Sequence, residues 1–233
     1  MGAIIRRHQG VLAVPYSMSR QKWTLRQGSS AEPIRCAVFI SGSGSGMEAM
    51  LTHQKSNIHC GHITAVVISD RHDASGLEKA RNFGIPAKTV PVPSDTNREE
   101  RRRLHEHSIQ LLLDEMEVEL ILLSGYMRLL SASFVERWAP YLLNIHPSLL
   151  PAFPGAHAHR DVLASSVDVS GCTVHFVDAG MDTGEVIAQR RVPVFSDDDE
   201  RSLAARVQLE EHQLYPEVVD QLVKLDIQSS GEL

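Results

Sequence analysis

The sequence predicts an α/β fold: a mostly parallel central sheet between two layers of helices, closing on an antiparallel C-terminal hairpin. Three observations carry this. From residue 36 onward, short apolar runs rich in β-branched residues alternate with longer, amphipathic and charged stretches. Most of those runs stop at Ser, Gly or Pro, which suits strands feeding tight loops. The last two runs, 171–177 and 186–194, are joined by a connection too short for a crossover helix, so they are expected to pair as a hairpin.

The elements follow in order. A first strand over 36–41 opens into Gly42-Ser43-Gly44-Ser45-Gly46, and a helix is expected over 47–53. Strand, glycine-rich turn and helix make a phosphate cradle, because glycine allows close backbone approach and the first helical N–H groups point at the anion. The spacing is neither the dinucleotide fingerprint nor the Walker pattern. A second strand covers 63–69. A helix over 74–83 ends at Gly84, and a weaker strand covers 87–92. The charged stretch 97–115 reads as a helix whose Arg/Glu run faces solvent. An apolar strand over 120–123 leads into residues 124–130, then a helix over 132–138.

The stretch 141–155 combines an apolar strand with two polar residues at its end, Asn144 and His146. Pro147, Pro151, Pro154 and Gly155 then prevent regular structure. Two positions apart, the amide and the imidazole share one strand face. Ligands of open α/β sheets sit beyond the carboxyl ends of strands. A short helix to about residue 165 precedes the hairpin, and a final helix spans 201–225. Asp197 to Glu200 favour its start, and Pro216 implies a kink or break.

Bulk properties narrow the function classes. The 233 residues, 42% hydrophobic and 22% charged, suit one globular domain, taken as 35–233. The loop at 42–46 marks a candidate phosphate-binding half to about 140, and Asn144 and His146 mark a candidate catalytic half over about 141–225. A net charge of −6 argues against a nucleic-acid or anionic-membrane surface. No apolar run approaches a membrane span. Cys36, Cys60 and Cys172 are scattered and odd in number, with neither disulfide framework nor metal-ligand spacing, as expected in the cytoplasm. Residues 1–34 are basic and rich in Ser, Gln and Gly. They read as a poorly ordered extension, with organelle targeting left open.

Asn144, His146, His175, Asp182 and, more loosely, His157 and His159 are the polar residues that strand ends would gather. Three chemistries use such groups. A metal site would take the imidazoles and carboxylate, but His-Glu-x-x-His and a cysteine pair are both missing. A serine hydrolase would use Ser148, but there is no nucleophile elbow. Acyl-type transfer without a protein nucleophile needs one amide donor, one imidazole and one acid, which the chain supplies.

Four motifs in fixed order then carry a resemblance: Ile40-Ser41-Gly42 followed by Gly44-Ser45, Gly125-Tyr126-Met127-Arg128-Leu129-Leu130, Asn144 to Gly155, and His175-Phe176-Val177 followed by Asp182 and Gly184. Over residues 35–223 the chain resembles the phosphoribosylglycinamide formyltransferases, folate-dependent enzymes of purine synthesis. The resemblance implies a Rossmann-like three-layer fold and transfer of a formyl group from 10-formyltetrahydrofolate, as co-substrate, to the amine of glycinamide ribonucleotide. It implies no metal, and a monomer or homodimer. Asn144, His146 and Asp182 match the catalytic trio. Gly44, Ser45, Gly46, Gln208 and Glu211 fall on the substrate side. Arg98, Met127, Arg128, Leu129, Leu130, Asn144 and Asp178 fall on the folate side. The chain has Gly46 where family members usually have Asn, and Thr183 where Gly or Ala is common. Runner-up readings are formyltetrahydrofolate deformylase, a hydrolase, and formyl transfer to another amine such as that of a sugar nucleotide.

Overall fold

A computed structural model describes residues 11–12, 23–94 and 97–225. Its centre is an eight-stranded sheet. In chain order the strands are β1 (Val11–Leu12), β2 (Ile34–Ile40), β3 (His62–Ser69), β4 (Ala87–Thr89), β5 (Leu120–Leu123), β6 (Leu142–His146), β7 (Val169–Phe176) and β8 (Val186–Pro193). The spatial order is β1-β8-β7-β6-β5-β2-β3-β4. Strands β6, β5, β2, β3 and β4 are parallel, while β7 runs antiparallel to β6 and to β8. The expected mostly parallel sheet with an antiparallel C-terminal hairpin is present.

Helices α1 (Ser45–Ser56), α2 (Gly76–Asn82), α5 (Ala158–Ala164) and α6 (Glu200–Leu222) cover one face; α3 (Arg98–Glu115) and α4 (Ala132–Trp138) cover the other. Strand periodicity decides which residues serve which layer. Ile34, Cys36, Val38 and Ile40 join the first core, whereas Ala37 and Phe39 join the second. The chain builds β2-β3-β4 outward, then returns to place β5 on the other side of β2. That reversal opens a crevice beyond the carboxyl ends of β2 and β5, where the glycine-rich loop and residues 124–130 emerge.

Three expectations shift. The strand expected over 87–92 stops at Thr89, since Pro91 and Pro93 supply no N–H for a ladder. Helix α6 runs through Pro216 without a break. Its ring is buried with Leu214, Tyr215 and Val218, and that packing offsets the roughly 3 kcal/mol cost of an interior proline. The domain also begins before residue 35. Trp23 is 2% exposed and packs edge-on against Tyr141. Arg26 pairs with Glu119 at 2.7 Å. The expectation for residues 1–10 and 13–22 lies outside the described residues; Val11–Leu12 pair antiparallel with β8.

Candidate active site

The crevice is a cleft of ≈ 960 Å³ with the glycine-rich loop on one side and residues 126–130 and 178–182 on the other. The loop is shaped by Gly44, whose φ of +63° is left-handed and whose missing Cβ leaves room for Met47 and Gly76. Gly44 caps α1, so the free N–H groups of that helix open toward the cleft. Gly46 lies against Ser124: a Cβ there would sit 2.5 Å from Ser124 Oγ. The Ser124 hydroxyl, just past the end of β5, occupies the space a side chain at position 46 would take. Across the loop, Gln208 Nε2 donates to Ser45 Oγ at 2.7 Å, tying α6 to the start of α1. One turn on, Glu211 faces the same space. Burial alone pushes its carboxyl up to about 7.

The trio comes together at the end of β6. Asn144 and His146 stand two residues apart on that strand, and both line the cleft. His146 Nε2 donates to the Phe153 carbonyl at 2.9 Å, which turns Nδ1 toward Asp182 Oδ2, 3.4 Å away. Asp182 is delivered from the β7–β8 loop with a positive φ of 54°. Its Oδ2 accepts the Gly155 N–H at 2.8 Å. The proline-rich segment thus fixes both partners: its carbonyl orients the ring and its amide holds the carboxylate. The Ser148 hydroxyl donates to the carbonyls of Ala152 and Phe153, so it braces this turn and is not set up as a nucleophile.

The strand register gives His175 a supporting role beside Asn144. It lies directly opposite Asn144 across β6 and β7. Its Nδ1 donates to the Phe176 carbonyl at 2.8 Å, leaving Nε2 to accept from Asn144 Nδ2 at 3.1 Å. Burial pushes the His175 pKa down, keeping that lone pair available. One N–H of the Asn144 amide is thereby anchored and the other is left for a ligand oxygen. Of the remaining histidines, His159 lines the cleft, whereas His157 is exposed and caps α5.

On the far wall, Met127 and Leu129 are more than half exposed, an apolar rim that a flat ring can cover. The backbone there is fastened by a small network missed in the sequence. Ser41 Oγ donates to Asp70 Oδ1 at 2.6 Å, Arg128 Nε donates to Asp70 Oδ2 at 2.8 Å, and the Met127 N–H donates to Ser41 Oγ. Ser41 and Asp70 each follow the end of a strand, and only sheet order reveals that those ends are neighbours. Asp178 accepts from Thr183 Oγ1 and the Gly180 N–H, so it shapes the loop that carries Asp182. Arg98 is not brought to the cleft. It sits at the exposed first position of α3, and Arg102, one turn on, lines the cleft instead.

A switch-point cleft holding an oriented amide, imidazole and carboxylate beside a helix N-terminus defines an α/β protein of enzyme type, with groups suited to an acyl group next to an anion. The chain belongs to the formyl transferase family, whose pattern matches residues 34–219. It is 43% identical over 184 residues to the phosphoribosylglycinamide formyltransferase of Escherichia coli (strain K12), covering 78% of this chain and 84% of that one. It is 40% identical to the trifunctional purine biosynthetic protein adenosine-3 of Bos taurus over 90% of this chain, but spans only 20% of that relative's length. A chloroplastic phosphoribosylglycinamide formyltransferase from Vigna unguiculata is 40% identical over 81% of the chain and 60% of its own length. Among solved structures, glycinamide ribonucleotide transformylase 1 from Symbiobacterium toebii superposes with a TM-score of 0.75 at 40% identity, covering 84% of this chain and 89% of that one. Among the described residues, no helix is long and apolar enough to cross a membrane.

Proposed function

We propose that the protein transfers the formyl group of 10-formyltetrahydrofolate to the amine of glycinamide ribonucleotide. The observation that carries this reading is the grouping of Asn144, His146 and Asp182 at one end of β6, between the phosphate-type loop at Gly44 and the apolar rim at Met127. The phosphate of the substrate occupies the N–H groups at the start of α1, and its amine lies toward Glu211. The folate ring system rests against residues 127–130 and the 178–182 loop.

In the reaction the amine nitrogen attacks the formyl carbon, a C–N bond forms, and the carbonyl oxygen takes up negative charge. The Asn144 N–H not used by His175 donates to that oxyanion, and such a donor contributes on the order of 3 kcal/mol to the transition state. The His146 ring, its Nε2 held by the Phe153 carbonyl and its Nδ1 facing Asp182, adds the positive field of its imidazolium form. Collapse breaks the bond to the folate nitrogen. The proton lost by the amine is passed on by the His146–Asp182 pair, through water, to that departing nitrogen. No protein nucleophile is used, in keeping with Ser148 being engaged by two carbonyls. Cys36 and Cys172 are buried free thiols, in keeping with a reducing compartment.

The test follows donor consumption with and without glycinamide ribonucleotide. Tetrahydrofolate release only when the amine is present supports transfer. Formate release from the donor alone would make the protein a hydrolase, and turnover with a sugar-nucleotide amine in preference would redirect the acceptor.

A further inference from the structure

A second cluster of chemically capable side chains lies at the opposite end of the sheet. His53 comes from the last turn of α1, Cys60 from the following loop, His62 from the first position of β3 and Asp220 from the last turns of α6. The other end of β3 leads to the active cleft, about 23 Å away at 3.3 Å per residue. One donor atom from each of the four residues lies within 4.8 Å of the others. His53 Nε2 is 3.0 Å from Asp220 Oδ2, His62 Nε2 is 3.2 Å from Asp220 Oδ1, and Cys60 Sγ is 3.8 Å from the same oxygen. The two imidazole planes are nearly parallel, at 13°, and stacked with centroids 6.1 Å apart.

Two features separate this cluster from an ordinary buried ion pair. The His62 side chain is fully buried, and its Nε2, aimed into the cluster, meets only Asp220 Oδ1 at 3.2 Å, outside good hydrogen-bond geometry. The donor set is also chemically mixed: one thiol, two imidazoles and one carboxylate. With the thiol ionised, it carries two negative charges and two neutral nitrogens, matching a divalent ion of borderline softness that takes four N, S and O ligands.

We propose that His53, Cys60, His62 and Asp220 form a closed, four-ligand divalent-metal site with the preference of Zn²⁺, which pins α1, β3 and the end of α6 together. Sequence spacing does not reveal it, because the ligands come from separate elements. The surrounding shell adds a specific requirement. Gln54 Oε1 accepts from the Thr64 N–H and hydroxyl, so Gln54 Nε2 is the group facing His62 Nδ1 at 2.9 Å. When His62 Nε2 ligates a metal, its ring proton moves to Nδ1 and needs an acceptor there. Gln54 must turn its amide, at the expense of its bond with the Thr64 N–H. A carboxylate at position 54 would serve His62 and Thr64 at once.

The experiment uses the full chain, stripped with a chelator and titrated with Zn²⁺ against a chromophoric competitor, and with Co²⁺ as a spectroscopic probe. The expected result is one equivalent of Zn²⁺, a higher unfolding temperature in its presence, and Co²⁺ spectra showing tetrahedral bands with a thiolate charge-transfer band. Cys60→Ser abolishes that band while leaving catalytic turnover unchanged. His53→Ala, at a partly exposed ligand, weakens binding if the Ser variant folds poorly. Gln54→Glu tightens binding by about tenfold or more. No stoichiometric binding, or an octahedral Co²⁺ spectrum indifferent to Cys60→Ser, overturns the proposal and leaves a metal-free His–Asp–His network.

Discussion

Glu211→Gln is the perturbation most directly quantified by the structure. The carboxyl is held up at about 7 from an ordinary 4.5, and burial is the cause. The folded protein therefore holds the Glu211 proton more tightly than the unfolded chain. The resulting stability is fully present below pH 4.5, falls as pH rises between 4.5 and 7, and levels off above. A shift of that size corresponds to about 3 kcal/mol. This is a ceiling, because the residue keeps part of its surface open to the cleft and water reaches it there. Glutamine has no charge to desolvate. The variant should match the wild type near pH 4.5 and exceed its stability at pH 8 by up to about 3 kcal/mol in urea unfolding. The same change should lower kcat/KM for the amine substrate by about ten- to a hundredfold, since a charge-assisted hydrogen bond is lost. Equal pH slopes for the two proteins would show that Glu211 is not a desolvated carboxyl. Higher stability with unimpaired kcat/KM would remove it from the substrate site.

Further outcomes follow from other contacts. His146→Ala should reduce kcat by about a hundredfold or more with phosphate-ligand affinity retained, measured by steady-state kinetics and calorimetry; an unchanged kcat would exclude the ring from the chemistry. His175→Ala should lower kcat by freeing the Asn144 amide that it anchors at 3.1 Å, and His175→Gln, which can still accept that bond, should recover part of the loss. Gly46→Asn should cost about 1–3 kcal/mol of stability because its Cβ meets Ser124 Oγ at 2.5 Å. The penalty should shrink in a Ser124→Ala background, and additive effects in the double-mutant cycle would refute the clash. Trp23→Ala should cost about 3–5 kcal/mol in chemical denaturation, whereas a dispensable extension would tolerate it.

Much of this protein is readable from short-range chemistry. Strand alternation sorts the residues of β2 into two cores, and Ser and Gly end the strands where the cleft opens. Asn144 and His146 are two apart on one strand, so their shared face needs no tertiary information. The motif at 144–155 likewise points to Asp182 by resemblance. Other features depend on chain segments far apart meeting in one register. That His175 sits opposite Asn144 follows from the antiparallel β6–β7 pairing. That Arg102 and not Arg98 reaches the cleft follows from where α3 lies along the sheet, since the two residues share one helix face. Asp70 joins Ser41 and Arg128 because β3 is the neighbour of β2.

The sequence by itself determined the layered α/β class, the phosphate-type loop and the amide–imidazole pair, because each is encoded in periodicities and turn residues within a few positions. Only the tertiary structure decided which nitrogen of His146 faces Asp182, what orients Asn144, why Gly46 is accommodated, and that Trp23 belongs to the core. It also gathered His53, Cys60, His62 and Asp220 from three elements and a loop. Those outcomes depend on sheet order and on where the helices dock along it, which arise from burying both faces of the sheet at once and leave no local pattern in the chain.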